Sequence, residues 1–219
     1  MSGKISLWVS TIGLGLVVTL LQPIANAKSS VEVANSAKSI PRWRSLPEVI
    51  AIARGKRGTS DNFGSAMQKY QQGDYPGALA DYNRAIKNNP QSANAYYNRG
   101  LLKADKLQDF QGALSDYDRA IKLKPNYDAA YNNRGNLKAD KLQDYPGALL
   151  DYNRAIKLKP RNASSYYNRG ILKYTYLKDA TGGIADLKQA AKLSQRQGNT
   201  QETQAANDLL NQWQQTTGK

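Results

Sequence analysis

Three asparagines recur at one interval: Asn98, Asn133 and Asn168, each 35 residues after the last. A carboxamide carries donor and acceptor together, so a column of three can hydrogen-bond the main chain of an extended ligand whatever its side chains. Tyr97 and Tyr167 stand next to the outer members, Asn132 next to the middle one, and Asn136, Tyr70 and Tyr174 complete the set of candidate contacts. Tyrosine suits such a surface because its broad rigid ring loses little entropy on binding and ends in a polar tip. The opposing reading is that polar residues on a wet helix face need no ligand.

Carboxylates are the other group capable of chemistry. Asp105/Asp140 and Asp116/Asp118 could serve as acid and base, yet they follow the same period and read as surface positions. The chain has no His and no Cys, which removes Ser-His-Asp and Cys-His catalysis, imidazole and thiolate metal sites, and disulfides. No catalytic residue, metal or cofactor is expected.

The elements that position these residues start after a leader. Lys4 precedes a fifteen-residue apolar run, Leu7 to Leu21, and Ala25-Asn26-Ala27 follows. Basic start, short apolar run and A-x-A end match a secretory signal peptide, residues 1–27, cleaved after Ala27. The competing reading is an uncleaved anchor, but a spanning helix wants about 20 apolar residues and Pro23 interrupts sooner. The full chain has 31 Lys+Arg against 17 Asp+Glu, a net +14, and the cleaved chain would keep +13. The expected location is the periplasm, with the extracellular space or a thylakoid lumen as alternatives. There the anions on offer are phospholipids, envelope polymers and acidic proteins, and no nucleic acid is expected.

Self-comparison supplies the architecture. Asn98-Arg99-Gly100 returns as Asn133-Arg134-Gly135 and Asn168-Arg169-Gly170, and Asp81-Tyr82 returns as Asp116-Tyr117 and Asp151-Tyr152, with Asp186-Leu187 as a weaker copy. Pro90, Pro125 and Pro160 close three units. Asp74, Asp109, Asp144 and Asp179 stand where the N-cap of a second helix belongs, and Pro76 and Pro146 fall in a first turn. Lys87, Lys122, Lys124, Lys157, Lys159 and Lys192 gather toward the ends of those helices, where the dipole favours cations.

On these residues the chain resembles the tetratricopeptide repeat (TPR) family. Tyr96, Gly100, Ala113, Tyr117 and Pro125 fill that family's frame in the second unit, and Tyr131, Gly135, Ala148, Tyr152 and Pro160 in the third. The first unit keeps Ala66, Ala78, Tyr82 and Pro90; the fourth keeps Tyr166 and Gly170. The resemblance implies an all-α fold, a right-handed superhelical solenoid of four helix-turn-helix units over 61–194 (about 61–91, 92–126, 127–161 and 162–194). Thr200 to Thr216 adds a C-terminal capping helix, within 199–217, whose Ala205, Leu209 and Trp213 form a stripe to cover the last unit.

The resemblance also implies a concave groove lined by the first helices, in which family members hold peptides. Asn98 is two residues from both Tyr96 and Gly100, about 200° round a helix, so it is expected to point away from the core, as are Asn133 and Asn168. An acidic-tail clamp is not supported, because matching groove positions hold Phe63, Met67, Ala129 and Asn136. Tyr75, Tyr82, Tyr117, Tyr145 and Tyr152 are expected in the core.

Two departures from the frame stand out. Arg99, Arg134 and Arg169 occupy an apolar slot, with Asp116, Asp151 and Asp186 of the paired helices as their expected partners. Lys103, Lys138 and Lys173 occupy a Tyr slot, and the Gly-to-Ala spacing is 13 in the second unit against 12 from Ala66 to Ala78. Either the extra residue rotates the lysine out through a bulge or longer turn, or its stem lies on apolar surface with the ammonium in water.

Residues 28–60 carry seven Lys/Arg against Glu32 and Glu48. Within this basic linker, 46–54 reads as a short helix docked on the first unit, or as a basic amphipathic element for a membrane or partner. The expected function is a non-catalytic protein- or peptide-binding scaffold outside the cytoplasm, assisting assembly of an envelope or membrane complex. The alternative is a surface adaptor that grips anionic membrane or polymer through 28–60.

Overall fold

Each expected N-cap aspartate opens a helix. In the computed structural model, which describes residues 61–217, Asp74, Asp109, Asp144 and Asp179 accept hydrogen bonds from Gly77, Gly112, Gly147 and Gly182 N–H at 2.8–2.9 Å. The caps satisfy one of the orphan donors at each N-terminus, and they start the second helix of four successive hairpins. The described helices are α1 (Asp61–Gln72), α2 (Tyr75–Asn88), α3 (Ala93–Leu102), α4 (Phe110–Leu123), α5 (Asp128–Asp140), α6 (Tyr145–Leu158), α7 (Ala163–Thr175), α8 (Ala180–Arg196) and α9 (Thr200–Thr217). Pairs α1/α2 to α7/α8 are antiparallel hairpins, α9 follows, and no strand occurs among the described residues. The fold is the all-α superhelical solenoid expected. The leader 1–27 and the linker 28–60, with 46–54, lie outside the described residues.

The extra residue of units two to four has a definite home. The first hairpin turns through Gly73, whose φ of 83° glycine adopts without penalty, whereas the later three turn through Gln108, Gln143 and Lys178 at φ 54–59°. In the second unit the slack also loosens the end of α3 into a π-helical turn, Lys103–Leu107. The amides of Asp109, Asp144 and Asp179 then close back on the carbonyls of Lys103, Lys138 and Lys173. These three lysines are not rotated out. Each aims at the hairpin interior and places its ammonium 2.9–3.0 Å from the carboxylate of Asp116, Asp151 or Asp186.

The expected arginine pairs form on the same carboxylates. Arg99, Arg134 and Arg169 meet Asp116, Asp151 and Asp186 through two parallel bonds, Nε at 2.8–2.9 Å and Nη2 at 2.5–2.6 Å. Burial alone would lower the Arg134 pKa, but the hydrogen bonds and charge of Asp151, then those of Asp118, outweigh it and raise it. The first unit substitutes Ser65 and Lys69 around Asp81, at 2.6 and 2.8 Å. One buried carboxylate per hairpin thus ties first helix to second.

Apolar packing fills in around these ties. Tyr82, Tyr117 and Tyr152 are buried, while Tyr75 and Tyr145 are only half-buried at the hairpin ends. Gly100, Gly135 and Gly170 allow close approach: a Cβ on Gly135 would lie 2.7 Å from the Tyr152 ring. In α9, Leu209, Leu210, Ala206 and Trp213 are buried against α8 and α7, and Trp213 stacks on Tyr174 with centroids 3.8 Å apart. One lysine differs from expectation. Lys192 is not at a helix end, because the fourth unit lacks its proline and α8 runs on to Arg196.

Candidate functional site

The asparagine column does not point away from the core. Asn98 and Asn133 are 3% and 4% exposed and Asn168 is fully buried, as is Asn132; Asn136, Tyr97 and Tyr167 are buried too. The 200° argument treats a first helix as having one packed face. In a stacked array it has two, one against its own second helix and one against the next first helix, and the column lies at the second contact. Asn133 Nδ2 donates to the Tyr97 hydroxyl at 2.7 Å and Asn168 Nδ2 to Asn132 Oδ1 at 3.3 Å, so the column is a ladder joining α3 to α5 and α5 to α7.

Asn98 shows why the ladder stops. Its counterpart partner in the first unit is Phe63, which has no acceptor, and its amide donates instead to the Asn94 carbonyl at 2.8 Å. Within the third unit the ladder continues inward. Tyr152 donates its hydroxyl to Asn136 Oδ1 at 2.8 Å, and Asn136 Nδ2 reaches Asn133 Oδ1 at 3.5 Å. Buried amides that make these bonds hold the stacking register, since each would cost about 1–3 kcal/mol if left unpaired.

Tyr70 and Tyr174 are half-buried, but their rings are occupied. Tyr70 packs edge-on against Tyr75 at 5.8 Å, with Lys106 Nζ 6.0 Å from its centroid, and Trp213 covers a face of Tyr174.

An opening remains between the first helices of units two and three. It is shallow and open to solvent, and its lining is Leu101, Ala104 and Asp105 from the α3 end, Tyr117, and Asn133, Asn136, Leu137, Asp140 and Lys141 from α5 and the turn beyond. The structure therefore brings Asn133 and Asn136 of the predicted set to one cleft and places the other seven elsewhere. Sequence reasoning missed the apolar walls Leu101 and Leu137; Asp105 and Asp140, read as surface residues, stand half-buried and exposed at the rim. Their shared 35-residue interval and the extra residue of the second unit were the available signals. With Asp105 and Asp140 against Lys141 the rim is net negative, so it suits an apolar or cationic side chain and an extended main chain better than an acidic tail.

Among the described residues no group of three His, Cys, Asp or Glu is placed to hold a metal ion, and no helix is long and apolar enough to cross a membrane.

The comparisons agree with this geometry. The family model described as TPR repeat matches residues 68–106, 106–141 and 141–176. Comparison with curated proteins returns no match. MamA, residues 41 to the end, from Desulfovibrio magneticus RS-1 is 17% identical with a TM-score of 0.56, covering 74% of this chain and 97% of that one. TTC0263, a thermophilic TPR protein in Thermus thermophilus, is 22% identical with a TM-score of 0.54, covering 74% and 93%. The first TPR of Spaghetti (RPAP3), bound to the HSP90 peptide SRMEEVD, is 24% identical with a TM-score of 0.52, covering 54% and 93%. With phased motifs, three matched repeat segments and stacked hairpins in agreement, the chain belongs to the tetratricopeptide repeat family.

Proposed function

We propose that the protein is a non-catalytic scaffold that holds an extended segment of a partner protein outside the cytoplasm, in the assembly of an envelope or membrane complex. The observation that carries the binding reading is the open cleft between α3 and α5, with apolar walls, a net negative rim and amide groups at its floor. Peptide binding by a structural neighbour supports it, and the residues of 1–27 support export. Of the nine predicted contacts, Asn133 and Asn136 are the two that line the cleft, where they also belong to the ladder; the rest act in packing alone. A second reading, adaptor binding through 28–60, rests on the excess of Lys and Arg there.

The test has two arms. N-terminal sequencing of the protein from its native cells should begin at Lys28; an intact Met1 in a cytoplasmic fraction refutes export. An affinity capture compares the parent with Ala104→Arg, which fills the cleft from the half-buried π-helical turn. A partner held by the parent and lost by an equally folded variant supports the cleft. Equal capture by both refutes it, and loss only on deleting 28–60 moves the contact to the arm.

A further inference from the structure

The charge of the repeat array is sorted to one edge. Each second helix ends, and the next first helix begins, on the same side of the solenoid, and successive turns there touch. Gln197 Nε2 donates to the Arg161 carbonyl at 2.7 Å, and Asn162 Nδ2 donates to Asp128 Oδ2 at 3.4 Å. On this edge stand the repeat-equivalent Lys87, Lys122, Lys157 and Lys192, all exposed, and none makes an ion pair or ring contact among the described residues. Lys124, Lys159, Arg161 and Arg196 are exposed beside them. The acids of this edge are Asp61 at the start of α1, Asp128, which meets Lys159 at 3.8 Å, and Glu202, held by Ser164 and Ser194.

Within the described residues the imbalance is not spread evenly. Of the 22 Lys/Arg in 61–217, eight lie on this edge against three of the 15 Asp/Glu; the remainder divide 14 to 12. Helix dipoles account for a cation near each C-terminus. They do not account for cations added in the turns beyond, such as Arg161. On the opposite edge the exposed Lys106, Lys141 and Lys178 alternate with the capping aspartates, so the two edges differ in sign balance rather than in polarity.

We infer that this basic edge docks the protein on an anionic lipid bilayer. Six of the eight cations are lysines, compact charges on flexible stems that suit a diffuse anionic surface rather than paired recognition of one phosphate. The aromatic ring at these turns, Tyr127, is buried beneath Lys124, so no stacking platform for bases is offered there. A row of lysines along one edge of a stacked array meets a plane along its whole length. The Leu7–Leu21 run takes the same chain to a membrane whether it is cleaved or kept. The inference is independent of the cleft, which lies between first helices.

The test is co-sedimentation of the full chain with neutral phosphatidylcholine vesicles and with vesicles containing about a third phosphatidylglycerol, at about 0.15 M salt, where charges act over roughly 8 Å. The leader contributes to both vesicle types, so the anion-dependent gain is the readout. Lys87→Gln/Lys122→Gln/Lys157→Gln/Lys192→Gln should lose about five-fold per lysine, several-hundred-fold together. The charge-matched Lys106→Gln/Lys141→Gln/Lys178→Gln/Lys188→Gln should keep the gain to within a few-fold. Equal loss in both variants reduces the effect to net charge and overturns the inference. No loss in either assigns binding to 28–60 and also overturns it. So does a parent that ignores vesicle charge, or one that binds duplex DNA in preference to the anionic vesicles.

Discussion

Replacing Arg134 by Leu restores the apolar residue that the family frame has at this slot, and the structure says it should destabilise. Asp151 is 3% exposed and accepts the Arg134 fork, with Nε at 2.9 Å and Nη2 at 2.5 Å, while Lys138 takes its second oxygen at 2.9 Å. Removing one partner of a fully buried pair costs about 3–5 kcal/mol, because a charge is stranded in low dielectric. Here Lys138 stays, and the arginine was 17% exposed, so water recovers part of the loss. The expected cost is about 2–3 kcal/mol, which for a chain of this size lowers Tm by about 5–10 °C. The bond from Nη1 to Asp118 adds little, since that carboxylate is 54% exposed. The assay is urea and thermal denaturation followed by circular dichroism. The repeats supply replicates, as Arg99→Leu and Arg169→Leu remove the same fork and should cost the same. Arg84, 60% exposed and 3.3 Å from Asp81, is the control and should cost under about 1 kcal/mol as Leu. A loss under about 0.5 kcal/mol in all three fork variants would refute the claim that these pairs tie the hairpins.

Further outcomes follow from other contacts. Hydrogen bonds from Lys69, then Ser65, hold the Asp81 carboxyl below its ordinary 3.8 against the pull of burial. Its stabilisation is thus present above the unfolded value and lost as pH falls from there through the lower folded value; Asp81→Asn should flatten the acid limb of stability below about pH 4. Gly64 of α1 has nothing within 4 Å of an added Cβ, whereas Gly183 would meet the Gly170 carbonyl and Tyr174 N at 2.9 Å. Gly64→Ala should gain up to about 1 kcal/mol and Gly183→Ala lose about 1–3, and equal effects on urea midpoints would contradict the packing. Trp213→Ala should cost about 3–5 kcal/mol and raise hydrogen exchange first in α9 and at the end of α7, whose Tyr174 its ring covers.

The 35-residue period, the capping aspartates and the arginine–aspartate pairs were all legible in the sequence. They are interactions within one hairpin, whose partners lie within 17 residues along the chain and whose geometry two helices and a short turn dictate. The lysine slot stayed open at that level. Its direction depends on how the extra residue is absorbed, and only the left-handed turns at Gln108, Gln143 and Lys178 settle it in favour of the buried carboxylates. The groove was misread for a related reason. A helical wheel assigns a face from one helix, but Asn133 and Asn168 find their partners 36 residues away in the preceding unit. Stacking also turns solvated aspartates into a cleft rim and lysines that look like separate end caps into one charged edge. Periodicity states that units are alike; which faces meet, and which are left to water, is decided by the rotation and translation between them.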